Sequence, residues 1–148
     1  TRSDFAPIMA FIVKQRSRKE NFTITLPTTF DSQGNETGTL LVNGSHTAGD
    51  TTIAMDAFAG DGDGRFKAGD FLKFASHDKV YMVVSDVTSS SNAATVTIEP
   101  PLTTALADNS AVTYDSVPFT VALKNDVQEF QIGQDAFFRY ELDFIEVI

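Results

Sequence analysis

The amino-acid sequence predicts a mainly β protein with one N-terminal α-helix, in which a small β-barrel or sandwich module interrupts a second, discontinuous β-module. In the middle of the chain, short apolar runs alternate with turn residues, a pattern typical of many short strands. Helical spacing of apolar residues is found at the start, from Thr1 to about Lys19. The closing segment is as apolar as this helix, and neither can bury its own face. We therefore expect the two ends to pack on each other, with the middle module inserted between them.

The opening helix is predicted from five apolar residues that repeat with helical spacing and form one stripe. These residues are Phe5, Ile8, Met9, Ile12 and Val13. Its C-terminal end is basic, with Lys14, Arg16, Arg18 and Lys19 close together. We interpret this run as a solvated helix end, since cations are favoured there, in preference to a nucleic-acid or partner contact.

The middle of the chain is organised around a predicted hairpin, Phe71–Ala75 and Val80–Ser85, joined by the polar turn Ser76–Lys79. The other strands predicted in this module are Thr39–Val42, Thr51–Met55, Ala94–Glu99 and Ala111–Tyr114. The tripeptide Ala-Gly-Asp precedes two of the strands, where glycine supplies the turn conformation and aspartate caps it.

The flanking segments supply the strands of the outer module. Alternation predicts strands at Phe22–Leu26, Phe119–Lys124 and Val127–Ile132, and a last strand in which Phe138, Tyr140, Leu142 and Phe144 share one face. Ile145 and Val147 then break the alternation, as a bulge or a change of neighbour requires. Composition changes near Gly38, so we predict one module of residues 1–37 and 118–148 and an inserted module of residues 38–117.

Composition excludes several function classes. The chain has no cysteine, which removes disulfides, thiolate catalysis and cysteine-ligated metals. A formal net charge of −9 disfavours binding to a phosphate backbone. No apolar run approaches the roughly 20 residues that span a bilayer, so we expect no membrane insertion.

The motifs predict no catalytic, cofactor or metal site. Asp61–Arg65 resembles the start of a calcium loop, but Arg65 stands where another oxygen ligand is needed, so we favour a tight acidic turn. His46 and His77 lie in polar turns, where a solvated side chain is expected. No nucleophile elbow accompanies either one.

Taken in combination, six stretches resemble a family of structural proteins of tailed bacteriophages: TRSDFAPIMAFIVKQR, LVNGSHTAGDTTIAMD, KAGDFLKFASHDKVYMVVSDV, TVTIEPPLTTALADNSAVTY, PFTVALKNDVQEF and FFRYELDFIEVI. The resemblance implies a distal-tail or minor tail protein of a long-tailed phage, without enzymatic activity. It implies a tail-tube-like β-sandwich that assembles as a ring, hexameric by resemblance, around the DNA channel, with the inserted β-module outside. Members usually have further strands before the opening helix, which this sequence does not include.

The resemblance also implies the partners and the location. These are other copies of the chain, the adjacent tail tube and the tail-tip or hub proteins, in a virion assembled in the host cytoplasm. DNA would pass through without specific binding, since negative charge facing a channel repels it. Our candidates for subunit or channel contacts are Glu129, Arg139, Glu141 and Asp143, because their apolar neighbours must face the core.

Two other functions stay open at this stage. A carbohydrate-binding module would stack sugar rings on exposed aromatic residues, for which Phe58, Phe66 and Tyr114 are candidates. A cell-wall hydrolase would draw on carboxylates and a histidine, for which the best residues are Asp61, Asp63 and His77.

Overall fold

The computed structural model describes residues 2–16, 18–125, 130–132 and 138–148 of the chain. Within that part, one α-helix, a short 3-10 turn and eleven strands are found, so the predicted fold class is confirmed. The elements are α1 (Arg2–Lys14), β1 (Phe22–Thr25), the 3-10 turn (Thr28–Phe30), β2 (Leu41–Val42), β3 (Thr52–Asp56), β4 (Phe71–Phe74), β5 (Val80–Val83), β6 (Ala93–Glu99), β7 (Val112–Thr113), β8 (Pro118–Leu123), β9 (Phe130–Ile132), β10 (Phe138–Tyr140) and β11 (Phe144–Glu146).

The chain divides into two compact units, each with its own strands. The smaller unit is made of Thr1–Ile24 and Thr120–Val147, and the larger unit is made of Thr25–Phe119 with Ile148. The larger unit therefore begins well before Gly38, where the change in composition lies.

The larger unit is built on one six-stranded sheet in the order β2-β3-β6-β5-β4-β7, with antiparallel neighbours. Its two outer strands meet, because Leu41 bridges to Ala111 and the Val42 N–H donates to the Ser110 carbonyl at 2.9 Å. These bonds nearly close the sheet into a barrel, and closure removes the free edges that could pair with another chain. The prediction of a small barrel in the middle of the chain is confirmed.

The barrel interior is filled by alternate side chains of its strands. In β3, for example, Ile53 and Met55 are fully buried while Thr52 is exposed. The largest fully buried residues of this core are Tyr81, Phe66, Phe74, Leu40, Ile53, Met55, Leu72, Ile98 and Leu106. Each such side chain contributes roughly 1.5–3 kcal/mol relative to an exposed one, so this core dominates the stability of the unit.

The central hairpin forms as predicted, with Leu72 of β4 opposite Tyr81 of β5. The two Ala-Gly-Asp turns also have the predicted chemistry. Gly49 and Gly69 have φ values of +96° and +104°, a region that glycine adopts without strain. The carboxylates of Asp50 and Asp70 each accept a hydrogen bond of 2.8 Å from the backbone N–H three residues earlier.

The smaller unit contains α1 and a three-stranded sheet in the order β1-β8-β11. β11 runs antiparallel to β8, with Phe144 opposite Leu123. The ring of Phe22 in β1 contacts Phe11 of α1 edge-on at a centroid distance of 5.0 Å and Phe144 at 5.5 Å. This aromatic cluster joins the helix to the sheet. β9 and β10 form a separate antiparallel pair.

The helix differs from the prediction in its length and in its buried face. It ends at Lys14 instead of Lys19, because no apolar residue follows Val13 to hold another turn and Arg16 adopts a positive φ of 50°. The predicted stripe is not buried as a whole, since Ile8 is 42% and Val13 is 70% exposed. The buried apolar position of the stripe is Ile12, at 8% exposure.

The closing strand also differs from the prediction. The alternation predicted one strand through Phe144, with the break at Ile145, but the break lies at residues 141–143. β10 pairs with β9 while β11 pairs with β8, so the chain changes neighbour within this connection. The predicted strand Val127–Ile132 is found as Phe130–Ile132, and residues 126–129 lie outside the described part.

Candidate functional site

The four predicted contact residues belong to the second half of the smaller unit. Glu141 and Asp143 are exposed and lie together on the connection between β10 and β11. Asp143 is held in place, because its carbonyl accepts from the Lys124 N–H at 2.9 Å and its carboxylate from the Asn125 amide at 3.3 Å. Arg139 lies in β10, opposite Gln131. Glu129 is outside the described residues.

A groove that the sequence did not reveal lies at the C-terminal end of α1. Its volume is about 540 Å³. This is within the range of about 300–1,000 Å³ in which proteins hold ligand-sized groups. The groove is lined by Phe11, Lys14, Gln15, Arg16, Glu20, Asn21 and Phe22. Two aromatic rings thus meet a mainly cationic rim.

The polar side chains that line this groove differ in their exposure to solvent. Arg16 and Glu20 lie 3.8 Å apart, but their side chains are 71% and 49% exposed, so this pair is weak. Gln15, by contrast, is only 5% exposed, although it also lines the groove.

The sequence predicted the basic end of the helix but not the groove. The residue that could have indicated the groove is Phe11, which is apolar but lies outside the predicted stripe. Its ring turns to Phe22 and forms the apolar part of the groove. The same unit exposes further apolar side chains, including Ile145 at 49%.

The chain connections that lead into and out of the barrel are fastened to each other. The Ser32 N–H donates to the Asp115 carboxylate at 3.1 Å, and the Ser116 N–H donates to the Asp31 carboxylate at 2.7 Å. We call these two reciprocal bonds the clasp. They hold residues 31–32 and 115–116, near the two ends of the barrel unit, side by side.

A buried ion pair fixes the segment before β2 to the barrel. The Glu36 side chain is fully buried, and its Oε1 accepts from the N–H groups of Thr37, Gly38 and Ala59 at 3.0, 2.6 and 2.8 Å. Its Oε2 has no hydrogen bond but lies 3.7 Å from the Arg65 guanidinium. Removing one partner of such a pair would leave an uncompensated buried charge.

A second buried carboxylate fastens the same segment. Asp70 is 2% exposed and accepts from the Ser32 hydroxyl at 2.7 Å and from the Gln33 N–H at 2.8 Å. The polar stretch from Thr28 to Gly38 is thus bonded to the barrel.

The acidic turn has its carboxylates occupied by donors of the protein. Asp61 accepts from the Asn92 N–H at 2.7 Å, and the backbone hydrogen bonds of Asn92 and Ser91 lower the pKa of its carboxyl. Asp63 accepts from the Thr88 hydroxyl at 2.7 Å. Among the described residues, no group of metal-binding side chains comes together.

The prediction that both histidines are solvated is wrong. His77 is 5% exposed, and its ring nitrogens bond to the Tyr81 hydroxyl at 2.7 Å and the Thr104 hydroxyl at 3.0 Å. The ring of His46 accepts from the Ala54 N–H at 3.2 Å, and its side chain is 15% exposed. Both polar rings satisfy groups of the barrel itself.

The prediction that the candidate sugar-binding aromatic residues are exposed is also wrong. Phe58 is 3% exposed and Phe66 is fully buried, so neither can stack on a ligand. The Tyr114 ring packs on Phe66, and its hydroxyl donates to the Gly38 carbonyl at 2.7 Å. Burial, followed by the charges of Glu36 and Asp115, raises the pKa of this hydroxyl.

These features define a β-protein in which a nearly closed, internally bonded barrel accompanies a smaller unit with exposed apolar and charged surface. Comparison with protein families gives its identity. Residues 28–117, more than half of the chain, match the family described as distal tail protein pb9, B domain. The chain belongs to this family of phage distal tail proteins.

The predicted family is thereby confirmed, and with it a structural role in the phage tail, contact with other tail proteins and a place in the virion. No curated protein matches the chain. Within the described residues, no helix has the length and apolar character to cross a membrane.

Proposed function

We propose that the chain is a non-enzymatic subunit of a ring at the distal end of a long phage tail, where the baseplate surrounds the DNA channel. In this proposal, residues 1–37 and 118–148 form the tail-tube-like ring module, and residues 38–117 form the inserted barrel. The neighbours of the ring are the tail tube and the tail-tip or hub proteins, and assembly takes place in the host cytoplasm.

The observation that carries this proposal is the sheet order of the smaller unit. β1 and β8 are neighbours in one sheet, although the whole family-matched region lies between them in the sequence. The clasp brings the two ends of this region together, since each of Asp31 and Asp115 binds the connection opposite to its own. An insertion requires that the chain enter and leave the inserted barrel at neighbouring points, as it does here.

The surface of the smaller unit supports assembly. In its described three-stranded sheet, β1 and β11 are the outer strands, and outer strands can be covered by a neighbouring subunit. Ile8 and Ile145 are 42% and 49% exposed, and such apolar surface favours association. A head-to-tail contact that closes on itself gives a ring.

The charge of the chain suits a channel for DNA. With a net charge of −9, the protein would repel the phosphate backbone, provided that carboxylates face the lumen. Glu129, Arg139, Glu141 and Asp143 remain our proposed ring or channel contacts. Six copies in the ring is our proposal from the family resemblance.

The experiment is a mass measurement across a range of concentrations, combined with negative-stain images of the same samples. We expect a closed oligomer with a central hole, whose fraction rises with protein concentration. A monomer that persists at high concentration, whatever the salt concentration, would overturn the ring.

A further inference from the structure

We propose that the groove at the end of α1 receives the turn Glu141–Asp143 of a second copy of this chain. The contact would join neighbouring subunits head to tail, because groove and turn are different surfaces of one molecule. This inference rests on the proposed ring and names the contact that closes it.

Groove and turn are complementary in charge. Lys14 and Arg16 stand at the rim of the groove against the single carboxylate of Glu20. The turn carries Glu141 and Asp143, both exposed. Opposite charges that meet across an interface steer encounter and fix the register.

The two surfaces are also complementary in polarity. Leu142 lies between the two acidic residues and is half-buried, while Phe11 and Phe22 give the groove its apolar part. A leucine side chain packed on these rings would be removed from water on association.

The turn is presented in a fixed shape. The bonds from Lys124 and Asn125 hold Asp143 in place, so little conformational entropy is lost when the turn binds. The groove is formed by the helix end and the chain that leads into β1, which Phe22 anchors through both of its ring contacts. Both sides of the contact are thus preformed.

The test uses two charge-reversed variants of the full chain. The groove variant carries Lys14→Glu and Arg16→Glu, and the turn variant carries Glu141→Lys and Asp143→Lys. We expect each variant alone to associate at least about tenfold more weakly than the parent chain, because like charges then face each other. Mixed in equal amounts, the two variants should assemble again, since every contact in an alternating ring is then between opposite charges.

A matched control carries Arg18→Glu and Lys19→Glu, which make the same change of charge on exposed residues outside the groove. We expect this control to associate more strongly than the groove variant, and circular dichroism to show that all variants are folded. Recovery on mixing also excludes an effect within one chain, because a second chain could not repair it.

The outcomes separate this inference from the proposed function. If the parent chain forms rings and both charge-reversed variants do so equally well, or if mixing fails to restore assembly, the groove does not hold the turn although the ring stands. If the parent chain forms no ring, the proposed function itself fails.

Discussion

Replacing Glu36 by alanine should be among the most damaging single changes in the barrel, although the residue lies in a polar stretch. The carboxylate is fully buried, accepts three backbone N–H groups with one oxygen and faces Arg65 at 3.7 Å with the other. The substitution removes all four interactions at once.

The magnitude follows from these contacts. Loss of one partner of a buried ion pair costs about 3–5 kcal/mol, because the remaining charge is left in a poorly solvated site. Arg65 is 13% exposed and keeps the Asp61 carbonyl at 2.8 Å, which reduces its share of the cost. The three N–H groups lose their acceptor, which adds to it. We therefore expect a loss of about 3–5 kcal/mol in the free energy of unfolding.

The assay is equilibrium unfolding in urea, followed by near-UV circular dichroism. The chain has three tyrosines and no tryptophan, and Tyr81 and Tyr114 are in the barrel, so this signal reports mainly on the larger unit. With a slope of about 2 kcal/mol per molar urea, the midpoint should fall by about 1.5–2.5 M.

Removing the other partner of the pair, by Arg65→Met, should lower the free energy of unfolding by less, about 1.5–3 kcal/mol, because the Glu36 carboxylate keeps its three N–H donors. Lys67→Ala is the matched control, since it breaks an exposed ion pair of the same unit, with Asp86, and should leave the urea midpoint nearly unchanged. A loss below about 1 kcal/mol for Glu36→Ala would refute the reasoning, since it would mean that water or relaxation readily replaces the buried pair.

Three further changes test other contacts of the larger unit. Gly34→Ala should destabilise the barrel by about 1–3 kcal/mol in urea, because the new Cβ would collide with the Arg65 carbonyl oxygen. Asp61→Asn should make the free energy of unfolding depend less on pH in the acidic range. Backbone donors lower the pKa of this carboxyl, so its contribution is present above the unfolded pKa of about 3.9 and is lost as the pH falls through the folded pKa. Asp31→Ala removes the acceptor of the Ser116 N–H, and hydrogen exchange at that amide should become faster.

For each of these three predictions, a specific result would contradict the reasoning. Ser45→Ala, at an exposed site, serves as the control for Gly34→Ala, and equal stability of the two variants would contradict the close approach. For Asp61→Asn, a difference from the parent protein that stays constant between pH 7 and pH 2 would show that the hydrogen bonds do not favour the charged form. Unchanged exchange at Ser116 would mean that its bond in the clasp does not persist in solution.

The strands of the barrel could be predicted because local signals agreed with the fold. The runs at Phe71–Phe74 and Val80–Val83 are bounded by Gly-Asp and Ser-His-Asp, so turn chemistry and alternation indicate the same hairpin. The shortest strands, Leu41–Val42 and Val112–Thr113, were also found, because each is flanked by turn residues.

The side chains of the loops could not be predicted, because their burial depends on which loop covers which. Phe58 and Phe66 stand among glycines and aspartates, which suggests exposure, yet both point into the core. Glu36 is a single acid in a polar stretch, and nothing in the sequence shows that N–H groups and Arg65 converge on it. His77 is similar, since its partner Thr104 is distant in sequence.

The ends of the chain show the limits of periodicity. Helical spacing identified α1, but the spacing alone does not say which residues of the stripe a sheet will cover, and Val13 remained exposed. The alternation through Phe144 could not reveal that the chain changes neighbour, because hydrophobic period reports a face and not a pairing partner.

The clasp has a consequence for how such tails can diversify. Since the peptide segments at Asp31 and Ser116 run next to each other, the distance between the two attachment points does not depend on what lies beyond them. The barrel between these points could be enlarged, replaced or lost during evolution, and the flanking strands β1 and β8 would need no new arrangement. Variation within the barrel could in this way be selected separately from the geometry of the strands that carry it.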